Sequence, residues 1–216
     1  MSLEELNREF GRMQGKYGAV ELDAIYGGGC VDRPEVCFVF MNPTGRNVAA
    51  QKSWRGVKTP WLGTRDVWKL FGGLGLIGEE LVERIRGMKV GDWTEDFAKE
   101  VYEDLAGRGV YVTNLAKCTQ VDARELSSEV YGDYLELFWR EMELVRPSTI
   151  VLFGNQVGSV VLGEKVKVGE VRRRRFERGV AGEKVGVYVV YYPVGNGRFN
   201  AAKAIEDLRW ILERTD

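Results

Sequence analysis

Four short apolar runs, each halted by a polar or glycine-rich segment, set the main limit on how this chain can fold. Residues 36–41 (VCFVFM) stop at Asn42-Pro43-Thr44-Gly45, and residues 110–113 (VYVT) run into 114–117 (NLAK). Residues 149–153 (TIVLF) stop at Gly154-Asn155, and 187–192 (VYVVYY) stop at Pro193. Continuous apolar runs of this length, as opposed to alternating ones, suit strands buried on both faces. Helical patterns lie between them. The clearest spans 126–145, where Val130, Tyr134, Phe138, Met142 and Val145 share one face; shorter candidates are 64–72, 78–87, 94–106 and 201–213. Residues 3–16 place Leu3, Leu6, Phe10 and Met13 at helical spacing and end near Gly15. Strands alternating with helices predict an α/β fold, a three-layer α/β/α sandwich around a central, mainly parallel, four-stranded sheet. With no internal repeat or linker, residues 1–216 read as one domain with the 3–16 helix packed on it. In such sheets ligands bind at the carboxyl ends of the strands.

Composition narrows the chemistry available there. The 216 residues include no histidine, which removes Ser-His-Asp and Cys-His catalysis, His-ligated zinc and any imidazole acid or base. Lys plus Arg number 31 and Asp plus Glu 32, a formal charge of −1, so no strongly basic clamp shows in the totals. Three cysteines, Cys30, Cys37 and Cys118, have neither CxxC spacing nor an even count. They read as reduced, mostly buried thiols, too few for a four-ligand metal site. The first residues are charged and amphipathic, unlike a signal peptide, and no apolar stretch is long enough to span a membrane.

Charge is uneven along the chain. Residues 44–70 hold Arg46, Lys52, Arg55, Lys58, Arg65 and Lys69 against the single acid Asp66, interleaved with Trp54, Trp61 and Trp68. Bases and aromatics following a strand end suit a phosphate backbone and a stacked base. A second cluster, Arg172 to Arg175, reads as a solvated face.

Three strand ends form a further pattern. Asn42-Pro43-Thr44-Gly45 at the first, Asn114 at the second and residues 192–200 (YPVGNGRFN) at the last resemble the uracil-DNA glycosylase superfamily. The first is similar to motif 1 of the mismatch-specific and single-strand-selective branches, with an amide before the proline. The last resembles motif 2, a proline-containing loop that wedges into the duplex. Residues 59–63 (TPWLG) and 112–118 (VTNLAKC) resemble the thermophile-type branch, whose aromatic at the Trp61 position stacks on an extruded base. The resemblance runs from about Val36 to Lys203 and implies excision of uracil or another deaminated base by base flipping and water attack at C1′, without a cofactor.

The chemistry asks for these residue types. Flipping a nucleotide out of the stack costs a few kcal/mol, which stacking on Trp61, worth about 1–3 kcal/mol, would offset. Asn114 offers planar donors and an acceptor to the uracil edge, and Met41 and Pro43 beside Asn42 are expected to touch the base. Asn42 cannot take a proton at neutral pH but can orient a water, and the resemblance implies slower turnover than with Asp. At the last loop, Tyr192 stands where histidine is commonest; a neutral phenol donates a hydrogen bond but carries no positive charge. Gly195, Asn196, Gly197, Arg198 and Phe199 are expected to enter the duplex with Arg198 or Phe199 as wedge, and Arg46 and Lys58 to meet phosphates. The thermophile-type branch also holds an iron–sulfur cluster on four cysteines; three cysteines predict none here.

The partner expected is DNA containing a deaminated base, met by a monomer without metal or membrane in the cytoplasm of a prokaryote, at the nucleoid. An alternative from another class is a catalytically weak or inactive DNA- or nucleotide-binding protein of the same fold. A third, an α/β enzyme acting on a small phosphorylated ligand, lacks a GxGxxG or Walker-type loop after any strand.

Overall fold

The computed structural model describes residues 1–123 and 126–215. All four predicted runs are strands: β2 (Val36–Phe40), β3 (Val110–Asn114), β4 (Thr149–Phe153) and β6 (Glu183–Val190). They lie in the order β3-β2-β4-β6, each pair parallel. The sheet itself has six strands and is mixed, which corrects the four-stranded expectation. β1 (Gly28–Gly29) pairs antiparallel with β3, and β5 (Phe176–Val180) pairs antiparallel with β6. Neither edge carries a buried-strand signal. β1 is two glycines, and β5 buries only its end residues Phe176 and Val180. Charges between those ends suit an edge strand, which must not invite further pairing. Ala181 and Gly182 between β5 and β6 both have positive φ, 49° and 85°, as a two-residue hairpin turn of the primed type requires.

Helices cover both faces, giving three layers. Alternation along β2 splits its side chains: Val36, Phe38 and Phe40 meet α2 (Asp66–Gly73), α3 (Glu79–Gly87), α4 (Glu95–Gly107) and α8 (Ala201–Leu212). Cys37 and Val39 meet α1 (Leu3–Tyr17), α5 (Ser128–Val145), α6 (Gly154–Leu162) and α7 (Val168–Val171). A buried Phe or Val of this kind contributes about 1.5–3 kcal/mol. Helix starts follow local chemistry: Ser2 and Glu5 form a reciprocal capping box on α1, and Ser127 caps α5 through Val130 N. Gly154 and Asn155, read as the polar segment that halts the strand, instead open α6. β4 passes straight into it at Gly154, whose φ of 92° makes the bend.

The Arg172–Arg175 run is largely a structural clamp. Arg172 Nε and Nη2 donate to Asp207 at 2.8 and 3.0 Å, and Arg173 Nε donates to the same carboxylate at 3.0 Å. Both also pair with Glu206. The Asp207 side chain is fully buried, so the run fastens the α7–β5 connection to α8. Arg172, then Arg173, holds the Glu206 carboxyl below its ordinary value. Stability from that pair is therefore present above the ordinary carboxylate range and lost as pH falls through it. Asp207→Ala is expected to destabilise the fold by about 2–3 kcal/mol, read as a lowered denaturant midpoint. Surface arginines with no structural task would leave the midpoint unchanged.

Candidate active site

The site grows from the pairing of β2 with β3. Phe40 lies opposite Asn114 in the parallel register, so the two side chains point to one face of the sheet. The pairing continues past the strand ends: Leu115 N donates to Phe40 O at 2.7 Å and Ala116 N to Met41 O at 3.0 Å. Further on, Gln120 N donates to Pro43 O at 3.1 Å and Gly45 N to Gln120 O at 2.8 Å. The two chemistry-bearing segments are thus zipped together by backbone. Asn114 is only 2% exposed, and its Nδ2 has no acceptor among the described residues. A buried amide donor left this way costs about 1–3 kcal/mol and calls for an acceptor that the described residues do not supply.

Aromatic rings gather around Phe40, the strand partner of Asn114. The Phe40 ring stacks on Phe153 at 4.4 Å and meets Trp61 edge-on at 4.8 Å and Tyr192 edge-on at 6.2 Å. Trp61 and Tyr192 face each other at 6.5 Å, tilted by 38°. The backbone of Trp61 is held at φ 69°, a conformation costing about 1–3 kcal/mol for such a residue. Its surroundings impose it. The Trp61 carbonyl accepts from Thr64 N (3.1 Å), Thr64 Oγ1 (2.7 Å) and Trp68 Nε1 (3.1 Å). Just before it, Tyr102 Oη donates to Pro60 O at 2.6 Å. Buried Asn47 donates to Thr59 O at 2.8 Å and accepts from Ala49 N at 3.0 Å, tying the motif-1 loop to the Trp61 loop. The Trp61 indole N–H, like the Asn114 amide, is buried without a partner among the described residues.

Asn42 sits two residues beyond Phe40. Its Nδ2 donates to Pro43 O at 3.2 Å, which leaves Oδ1 as the acceptor for the Tyr131 hydroxyl at 3.1 Å. That oxygen keeps a second lone pair. Burial pushes the Tyr192 hydroxyl up to about 12, against the pull of the Arg46 charge. The phenol therefore stays a neutral donor at neutral pH, and Arg46 is an exposed cation close enough to act on it.

The other expected residues divide. Pro43 is buried in the motif-1 loop. Met41 packs against the core on the opposite face of the sheet from Trp61. The last loop is a 3-10 turn, Gly195–Asn200, leading into α8, where Phe199 is 84% exposed with the Arg198 guanidinium 5.2 Å from its ring centre. A Cβ on Gly197 would lie 1.9 Å from Tyr192 O, so the loop's close return over Tyr192 requires glycine there. Gly195 takes φ 56°, and the side chain of Asn196 lies outside the described residues. Lys58 pairs with Asp23 at 2.9 Å and donates to Gln51 O, so its ammonium is already engaged within the fold. Of the three tryptophans in the basic stretch, only Trp61 reaches the site; Trp68 is fully buried and the Trp54 indole bonds Val57 O.

Sequence reasoning missed Phe40, Tyr131 and Asn47. Phe40 was hidden as one more apolar residue of a buried strand, two residues ahead of motif 1. Tyr131 lies on α5, remote in sequence from the residue it holds. Asn47 follows motif 1 by two residues and looked like loop filler.

A sequence model of the uracil DNA glycosylase superfamily matches residues 28–212, which takes in the whole sheet and every helix described here but α1. The chain belongs to the uracil-DNA glycosylase superfamily. A curated relative, the Type-4 uracil-DNA glycosylase of Archaeoglobus fulgidus, is 31% identical over 96 residues. That match covers 41% of this chain and 47% of the relative, so the chain matches about half the relative's length. The iron–sulfur cluster of the thermophile-type branch does not fit the residues present here. The three cysteines are unpaired, and the described residues hold no Cys, Asp or Glu group of metal-binding geometry. Burial raises the Cys37 and Cys118 thiols, the opposite of what thiolate ligation needs.

Asn47→Ala is expected to cost about 1–3 kcal/mol of stability by orphaning Ala49 N and Thr59 O. It should also loosen Trp61, seen as changed tryptophan fluorescence well below the unfolding transition. An unchanged midpoint and spectrum would mean the two loops are not coupled.

Proposed function

We propose that this chain is a monofunctional DNA glycosylase that removes uracil, or another deaminated base, from DNA. The observation that carries this reading is the buried Asn114 amide donor, without a partner among the described residues and set opposite Phe40, whose ring contacts Trp61 and Tyr192, on a chain of the uracil-DNA glycosylase superfamily. A flipped base gains stacking from the rings, about 1–3 kcal/mol. The Asn114 N–H meets a carbonyl on the base edge and is satisfied only when that base is present. The price of unstacking, a few kcal/mol, is then met by contacts that a paired base cannot make. Phe199, exposed on the last loop and braced by Arg198, fills the gap left in the duplex.

Cleavage needs an oriented water and a stabilised leaving anion. Asn42 Oδ1, its plane fixed by Pro43 O and the Tyr131 hydroxyl, holds the water on its remaining lone pair. The water attacks C1′ as the glycosidic bond breaks; the electron pair leaves with the base, and the proton released from the attacking water passes to bulk solvent. The Tyr192 hydroxyl donates to the leaving oxygen, and Arg46 supplies the positive field that histidine provides in many relatives. With an amide at 42 and a phenol at 192, turnover is slow. Those same two residues motivate the second reading, a DNA-binding protein of this fold that has lost catalysis.

Incubation with an oligonucleotide holding one uracil, followed by alkali, is expected to give strand scission at that site, and Asn42→Ala to remove scission while leaving DNA binding intact. Binding without scission in the unaltered protein would favour the second reading. Between about pH 6 and about pH 9 the excision rate is expected to be flat, since no histidine titrates and Tyr192 stays protonated. An acid limb centred near neutrality would show that an unrecognised general acid or base takes part.

A further inference from the structure

Behind Asn114, on the opposite face of β3, lies a buried charge network that the proposed chemistry does not use. The Lys117 side chain is fully buried and that of Glu141, on α5, is 2% exposed, with Nζ to Oε2 at 2.6 Å. Glu141 Oε1 also accepts from the Tyr111 hydroxyl and the Thr113 hydroxyl, both at 2.8 Å. Lys117 Nζ has three acceptors: Glu141 Oε2, Thr113 Oγ1 at 2.7 Å and the backbone carbonyl of Asn114. Three simultaneous bonds require three N–H groups, hence an ammonium and not an amine. Burial alone pulls the lysine below its ordinary value, and Glu141 opposes that pull. Gly27 leaves the room: a Cβ there would fall 1.9 Å from the Tyr111 hydroxyl and 2.8 Å from Glu141 Oε1.

Desolvating two charges is a poor way to gain stability, since an apolar pair of similar volume commonly does as well. The position of the ammonium points to a different role. The peptide unit after Asn114 is held at both ends: its carbonyl by Lys117, and its N–H, that of Leu115, by Phe40 O at 2.7 Å. Fixing that plane fixes the direction in which the Asn114 side chain leaves the backbone. The amide it carries is a buried donor with no partner among the described residues.

We propose that Lys117, braced by Glu141, is a positioning residue for base selection: it clamps the Asn114 peptide so that the side-chain amide is presented to the flipped base in one orientation. This rests on the reading of the site as a base pocket. A misplacement of about 1 Å at such a contact can cost about 100-fold.

Two variants separate positioning from stability. Glu141→Gln removes the ion pair but leaves a lysine nitrogen that can still donate to the Asn114 carbonyl. Lys117→Met combined with Glu141→Gln removes both charges and that bond as well. Each is measured for thermal midpoint, for kcat and KM on uracil DNA, and for affinity to a duplex with an uncleavable uracil nucleotide against an undamaged duplex. The double variant is expected to lose about 10- to 100-fold in preference for the uracil duplex, with KM raised, while Glu141→Gln keeps most of the preference. Equal losses in the two variants, or a preference retained in the double variant, would overturn the assignment. If the double variant does not fold, Thr113→Val, which removes one of the three Lys117 bonds, should give a smaller loss of the same kind, and wild-type preference there would overturn it. An unaltered protein with no preference for the uracil duplex would overturn the base-pocket reading itself, and this assignment with it.

Discussion

The parallel pairing of β2 with β3 is the constraint on which the site depends. It sets Phe40 opposite Asn114, and because side chains alternate along a strand, a slip of one residue would turn Asn114 to the other face. Backbone bonds carry that register beyond the sheet, from Leu115 on Phe40 to Gly45 on Gln120. The motif-1 loop and the segment after β3 therefore move as one piece. The Trp61 loop is then fastened to that piece by Asn47, and the motif-2 loop folds back over Tyr192 at Gly197. Rigid elements with short, bonded loops are what a preorganised site needs, since groups that must reorganise during reaction lose much of their effect.

The electrostatics follow from building such a site without histidine. A low-dielectric pocket strengthens each hydrogen bond aimed at developing charge and penalises each polar atom left alone. Here burial keeps the Tyr192 phenol protonated, while Arg46 remains at the exposed rim. Asn42 is held on both of its polar atoms, leaving little freedom in the amide plane. The arrangement holds fixed dipoles and one exposed cation where a histidine would supply a titrating acid. Behind Asn114, Lys117, Glu141, Thr113 and Tyr111 bond one another, while the Asn114 donor in front has no partner among the described residues.

The parallel heart of the sheet was legible because both-face burial leaves runs such as 36–40 and 149–153 almost wholly apolar. The edges were not. β5 shows its neighbour only Phe176 and Val180 and otherwise faces solvent, and β1 is two glycines with no side-chain pattern at all. Asn42, Asn114 and Tyr192 stood out for a similar reason: each lies at a strand's last residue or within two residues of its end, where polarity changes abruptly. Tyr131, Asn47 and Glu141 were not, because their partners are distant in the chain and only the fold brings them together. The Arg172–Arg175 run shows the converse failure. A block of like charge reads as solvated surface until the carboxylates of Asp207 and Glu206 are seen opposite two of its members.

The central claim is that Asn114, Phe40, Trp61 and Tyr192 form a pocket that reads an extruded base. A crystal structure of the protein on a duplex carrying an uncleavable uracil nucleotide tests it most directly. The expected result is a uracil turned out of the helix against the Phe40 and Trp61 rings, with a base carbonyl about 3 Å from Asn114 Nδ2. A uracil still stacked in the duplex, or bound elsewhere with that amide unpaired, would contradict it.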